Sequence, residues 1–214
     1  MVVLAGVAVA ASPRTWQYAG YPVTILHELG HALAALSVGF RLRGITINAD
    51  MSGATNVWAR GRFRTMWTLW WGYPTPAVVG AGLIWAAGNG WARVALAVLV
   101  IGLVLVFLLS RSWLTVGIVL RSAAVLGLLA WYGSDVVVTL VVASLAWLLV
   151  IGALRALWSV VRAHTSRRGL QRSDAYLLGR QVRFVPGPVW LLTFAVVIAA
   201  AGWYAATSAL AVLT

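Results

Sequence analysis

The pentapeptide His27-Glu28-Leu29-Gly30-His31 lies inside an apolar run, about Tyr21 to Phe40, that is long enough to cross a bilayer as a helix. Residues four apart on a helix project from nearly the same face, so the two imidazoles can grip one divalent cation while Glu28 reaches a water beside it. This H-E-x-x-H pattern is the core of zinc hydrolase sites. Ionisable groups at mid-depth in an apolar span are costly, which points to function at these positions. Glu28 is the sole glutamate of the chain.

The composition around the motif is that of a multi-spanning membrane protein: 62% of the 214 residues are hydrophobic, 9% are charged, and the mean hydropathy is +0.92. All 16 basic residues are arginine, and the net charge is +12. Most of them border apolar segments, where positive-inside topology and anionic head groups explain them better than nucleic acid binding does. No nucleic acid partner is expected. Cysteine is absent, so thiolate nucleophiles, disulfides and cysteine metal ligands are excluded.

Six spans are expected: the motif segment, then about Tyr73 to Ala87, Trp91 to Leu109, Trp113 to Tyr132, Val136 to Val160 and Val189 to Val212. The first 11 residues are too short to span and read as an interfacial or partial helix. Residues 41–66 and 161–186 form two polar, arginine-rich stretches separated by four spans, so both fall on one side, with Arg111, and the positive-inside rule makes that side cytoplasmic. Asn89, Gly133 and the C-terminus then face outward. The fold class is an all-α polytopic membrane protein of one domain, with a short β-hairpin-like segment after the motif helix. Ile45 and Ile47 alternate there with Thr46 and Asn48, before the turn formers Asp50, Ser52 and Gly53. The hairpin has two readings: a cap over the membrane face, or an edge strand at Ile45 and Ile47 that pairs with an extended substrate.

A catalytic zinc takes three protein ligands and keeps a position for water, so His27 and His31 need a partner. No second glutamate exists, and position 37, where an extended motif would carry a third histidine, is Ser37. Asp50, Asp135, Asp174 and His164 remain. Asp135 belongs to the outer face, Asp50 to a turn that aspartate stabilises through its own backbone, and His164 to a solvated arginine-rich run. Asp174 is favoured because it lies on the side toward which the motif helix exits. Ser173 before it can cap a short helix reaching Leu178.

The membrane-embedded H-E-L-G-H, the extended glycine-containing segment after it and the distant Ser173-Asp174-Ala175 resemble the site-2 protease-like intramembrane metalloproteases, in particular their small bacterial branch. The resemblance implies His27, His31 and Asp174 as zinc ligands and Glu28 as general base. It implies a zinc-dependent endopeptidase of a bacterial inner membrane whose substrates are membrane proteins cut within or beside a transmembrane segment. A non-proteolytic membrane scaffold or metal-handling protein that keeps a structural or vestigial metal site is the alternative reading.

Overall fold

In the computed structural model, residues 12–166, 170–182 and 184–211 are described; the expected interfacial helix of residues 1–11 lies outside them. The chain forms α1 (Pro13–Ala19), α2 (Tyr21–Ser37), a hairpin of β1 (Arg41–Ile47) and β2 (Gly53–Trp58), then α3 (Arg62–Trp70), α4 (Pro74–Gly88), α5 (Ala92–Leu109), α6 (Trp113–Tyr132), α7 (Asp135–Ser166), α8 (Asp174–Gln181) and α9 (Gly187–Ala211).

Among the described residues four helices, α5, α6, α7 and α9, are long and apolar enough to cross a membrane. The count of six expected from hydropathy is therefore not reproduced. The two remaining segments, α2 and α4, have 17 and 15 residues, which at the helical rise are roughly 25 and 22 Å long, short of a hydrocarbon core of about 30 Å. Local bilayer thinning would be needed for either to span alone. α7 exceeds expectation at 32 residues and carries the span onward through Arg155 and Arg162. α6 presents apolar side chains outward along most of its length, with Trp113 at one end and Trp131 and Tyr132 at the other strongly exposed, the pattern of aromatic anchors at two membrane interfaces.

The hairpin does not cap the end of the motif helix; it stands alongside it. Its base leaves the C-terminal end of α2, and its tip returns to the N-terminal end, where Tyr21 donates to the Ala49 carbonyl and Thr24 to the Met51 carbonyl at 2.9 Å. The lengths match, since seven extended residues cover roughly 23 Å and the helix roughly 25 Å. The strands pair antiparallel, with Ile45 opposite Thr55 and Ile47 opposite Gly53, and a bulge interrupts the register between Leu42 and Gly44. Backbone groups at this depth must find partners inside the protein. β1 does so on both edges: beyond β2, the Arg111 amide donates to the Ile45 carbonyl at 3.0 Å and the Ile47 amide donates to Thr115 Oγ1 at 2.8 Å. β2 is the outer strand of a two-stranded sheet.

α4 packs against α7 and α9, and α5 against α6. One apolar core joins α2, the hairpin, α4, α5 and α7, and a second joins the lower half of α7 with α8 and α9. Arg121 donates to the Gly117 carbonyl one turn back, as a mid-span arginine is expected to do, and Arg93 pairs with Asp135 at 2.7 Å and with the Gly133 carbonyl at 2.9 Å, tying the α4–α5 and α6–α7 connections together.

Candidate metal centre

The motif helix, the α3–α4 connection, β2 and the start of α8 surround a cavity of 260 Å³ lined by His27, Glu28, His31, Gly53, Thr55, Thr68, Tyr73 and Asp174 among others. The short helix α8 positions the aspartate. Ser173 caps it by accepting from the Tyr176 amide, which leaves Asp174 in the first turn, where the helix dipole favours a carboxylate. The helix extends past the expected Leu178 to Gln181, and Ala175 and Leu178 are completely buried, which anchors it.

Asp174 Oδ2 lies 3.2 Å from His27 Nε2 and 3.3 Å from His31 Nε2, and the two nitrogens are 3.1 Å apart. Three ligand atoms at the corners of a tetrahedron, each about 2.0 Å from a central zinc ion, would be separated by about 3.3 Å. The donor set also has the right chemistry. His31 Nδ1–H donates to the Thr68 carbonyl at 2.8 Å, which fixes the tautomer and leaves the Nε2 lone pair facing inward. Glu28, His31 and Asp174 are all buried. Two carboxylates beside two imidazoles in an apolar setting call for a compensating cation. Burial pushes the Asp174 carboxyl upward, but in the metal-free site the two histidines, when protonated, outweigh it and hold the group below the usual carboxylate range; a bound cation would take over that role. These residues fit a zinc ion.

Glu28 points across the same cavity toward β2. Thr55 Oγ1 donates to Glu28 Oε2 at 2.6 Å and lies 3.0 Å from the Glu28 backbone carbonyl. Two close approaches require glycine. A Cβ on Gly53 would stand 2.4 Å from Glu28 Oε1, and one on Gly72 would stand 2.5 Å from both Cε1 and Nε2 of His31. Tyr73 sets its ring edge-on to His27 at 4.8 Å between centroids and stacks on Phe194 of α9 at 5.2 Å, so α9 buttresses the histidine indirectly.

The other candidates for the third ligand are elsewhere. Asp135 is exposed at the far end of the bundle with Arg93, Asp50 accepts from the Ser52 amide and hydroxyl in the hairpin turn, and His164 Nδ1 bonds to the Val160 carbonyl. Among the described residues, His27, His31 and Asp174 are the group that could hold a metal ion. Substrate contact at Ile45 and Ile47 does not fit this arrangement. Both side chains are almost fully buried in the core, and the free sides of their backbone are engaged by Arg111 and Thr115. The strand that lines the cavity is β2, through Gly53, Ala54, Thr55 and Val57. Thr55, Thr68, Gly72 and Tyr73 were not legible as site residues. Each acts through a fold contact, and a lone threonine or glycine carries no motif.

A helical membrane bundle with an H-E-x-x-H helix facing an aspartate from a distant short helix defines the class of membrane metallopeptidases of the site-2 protease type. The sequence profile of the Peptidase M50B-like family matches residues 1–205, and the chain belongs to that family. No curated protein and no solved structure matches it.

Proposed function

We propose that the protein is a zinc-dependent intramembrane endopeptidase that cuts membrane proteins within or beside a transmembrane segment. The observation that carries this reading is the convergence of His27, His31 and Asp174, with donor atoms 3.1 to 3.3 Å apart, in one cavity with Glu28. His27, His31 and Asp174 would hold the ion. When bound, zinc makes a water acidic enough to ionise near neutral pH and polarises a carbonyl.

The remaining chemistry belongs to the chain. Glu28 accepts the proton of the attacking water and passes it to the leaving amine, and Thr55 keeps the carboxylate aimed at the cavity. A peptide bond inside a substrate helix is inaccessible, so the substrate must unwind locally, which strands its backbone groups without water. The outer edge of β2 supplies partners for those groups. That strand takes the pairing role expected at Ile45 and Ile47, and pairing along it brings an extended segment past Gly53 and Thr55, next to Glu28. The proposed setting is the inner membrane of a bacterium, with the arginines at the base of the hairpin, Arg41, Arg43, Arg60, Arg62 and Arg64, on the cytoplasmic side and lipid against the exposed faces of α5 and α6.

Reconstitution in liposomes with a model single-span substrate tests the reading. Zinc-dependent cleavage that is lost on Glu28→Gln, with zinc retained, is the expected result. A protein that holds zinc but cleaves neither membrane-embedded nor soluble unfolded substrates would favour a scaffold or metal-handling role.

A further inference from the structure

The base of the hairpin carries a concentration of positive charge that the zinc chemistry does not use. Arg41 and Arg43 on β1 and Arg60, Arg62 and Arg64 after β2 are all exposed. Arg41 lies opposite Trp58 in the register, and the Arg43 guanidinium stacks 3.5 Å over the Trp58 ring. Arg60, Arg62 and Arg64 fall between Ala59 and Thr65, which line the cavity itself, so the arginines form a basic rim beside the cavity where β2 ends. None of the five forms an ion pair among the described residues. The four acidic residues are committed elsewhere: Glu28 and Asp174 to the centre, Asp50 to the opposite end of the hairpin, and Asp135 to Arg93.

We infer that this rim selects substrates by charge, favouring membrane proteins whose cytoplasmic juxtamembrane segment is acidic. The inference rests on the endopeptidase reading and adds the substrate class. Thr55 and Arg60 are five positions apart in a chain that is extended through Trp58, roughly 17 Å. A substrate strand cut next to Glu28 therefore presents its residues roughly four to six positions from the scissile bond to the arginines. The positive-inside rule makes this flank basic in ordinary membrane proteins, so the rim repels the majority of single-span proteins and attracts the minority with acidic flanks. Like charges at such a rim slow encounter and opposite charges speed it, an effect that salt weakens.

Three model substrates, identical in the membrane span and scissile region, test the inference: their cytoplasmic flanks carry an acidic, a glutamine or a basic triplet. In phosphatidylcholine liposomes the acidic form is expected to be cleaved with about tenfold higher kcat/KM than the glutamine form and the basic form more slowly still, with the differences shrinking as salt rises. R60E/R62E, checked for retained zinc as evidence of folding, should invert the order, and Arg60→Gln with Arg62→Gln and Arg64→Gln should bring the three rates together. Equal rates with the unmodified protein, or a preference that survives these substitutions, would overturn the inference. So would arginine-dependent binding of phosphatidylglycerol vesicles without any substrate charge preference, which would give the rim to lipid. Photocrosslinking of the same substrates to the Glu28→Gln protein separates the two levels. Charge-ordered crosslinking without cleavage by the unmodified protein would sink the peptidase reading and keep the charge-selective surface, whereas cleavage without charge order would do the reverse.

Discussion

Thr55 and Glu28 are joined by a 2.6 Å hydrogen bond that ties the middle of the hairpin to the middle of the motif helix. The bond links the strand proposed to hold substrate to the carboxylate proposed to act on it, so the base and the peptide are positioned by one element. Thr55→Val keeps the shape and removes the donor. A hydrogen bond to a charged group is worth about 1.5–3 kcal/mol, so kcat is expected to fall roughly ten- to a hundredfold with zinc content unchanged. Thr55→Ser should restore much of the rate. A Thr55→Val protein with full kcat would show that the bond does not position the base.

The metal ligands and the base should separate cleanly. His27→Ala, His31→Ala and Asp174→Ala are each expected to lose stoichiometric zinc and activity together, because each removes one of three converging donors. Asp135→Ala and His164→Ala should leave zinc in place, since both residues are engaged outside the cavity. Metal analysis of the detergent-purified proteins decides this. Chelation should abolish activity and zinc should restore it.

Gly72 offers a test of crowding at the same centre. A methyl group there meets His31 at 2.5 Å, so Gly72→Ala should displace the imidazole and lower zinc affinity by at least tenfold. Gly82→Ala is the control, because a Cβ at Gly82 meets nothing within 4 Å. Competition with a zinc-sensitive dye reads out the difference, and unchanged affinity in Gly72→Ala would contradict the geometry.

Thr115 holds the inner edge of the hairpin. Thr115→Val strands the Ile47 amide in the core and should cost about 1–3 kcal/mol, visible as a lower unfolding midpoint in detergent. Full stability in that variant would mean that the amide finds another partner.

The absence of cysteine permits a direct topology measurement. A single cysteine at Asn89 should react with membrane-impermeant reagent in intact cells, and one at Arg62 only with a permeant reagent. Equal reactivity of the two would show that α4, at 15 residues, does not cross.

Periodicity and hydropathy determined a good part of this protein without any tertiary information. The helical spacing of His27, Glu28 and His31 is local, and the apolar runs at α5, α6, α7 and α9 are intrinsic to the chain, so both were legible. The alternation at Ile45 and Ile47 announced a strand, and Ser173 announced a helix start. The meeting of Asp174 with the two histidines could be favoured from sequence only by elimination and topology. The hairpin's location, against the side of α2 instead of over its end, was not legible, because alternation reports which face of a strand is buried and says nothing about what buries it. For the same reason Ile45 and Ile47 looked like substrate contacts and proved to be core, while β2 lines the cavity. Sequence pattern determined which residues are chemically able to act; the packing of α3, α8 and the hairpin around one helix decided which of them meet, because contacts between segments far apart in the chain depend on shape and buried area that no local period encodes.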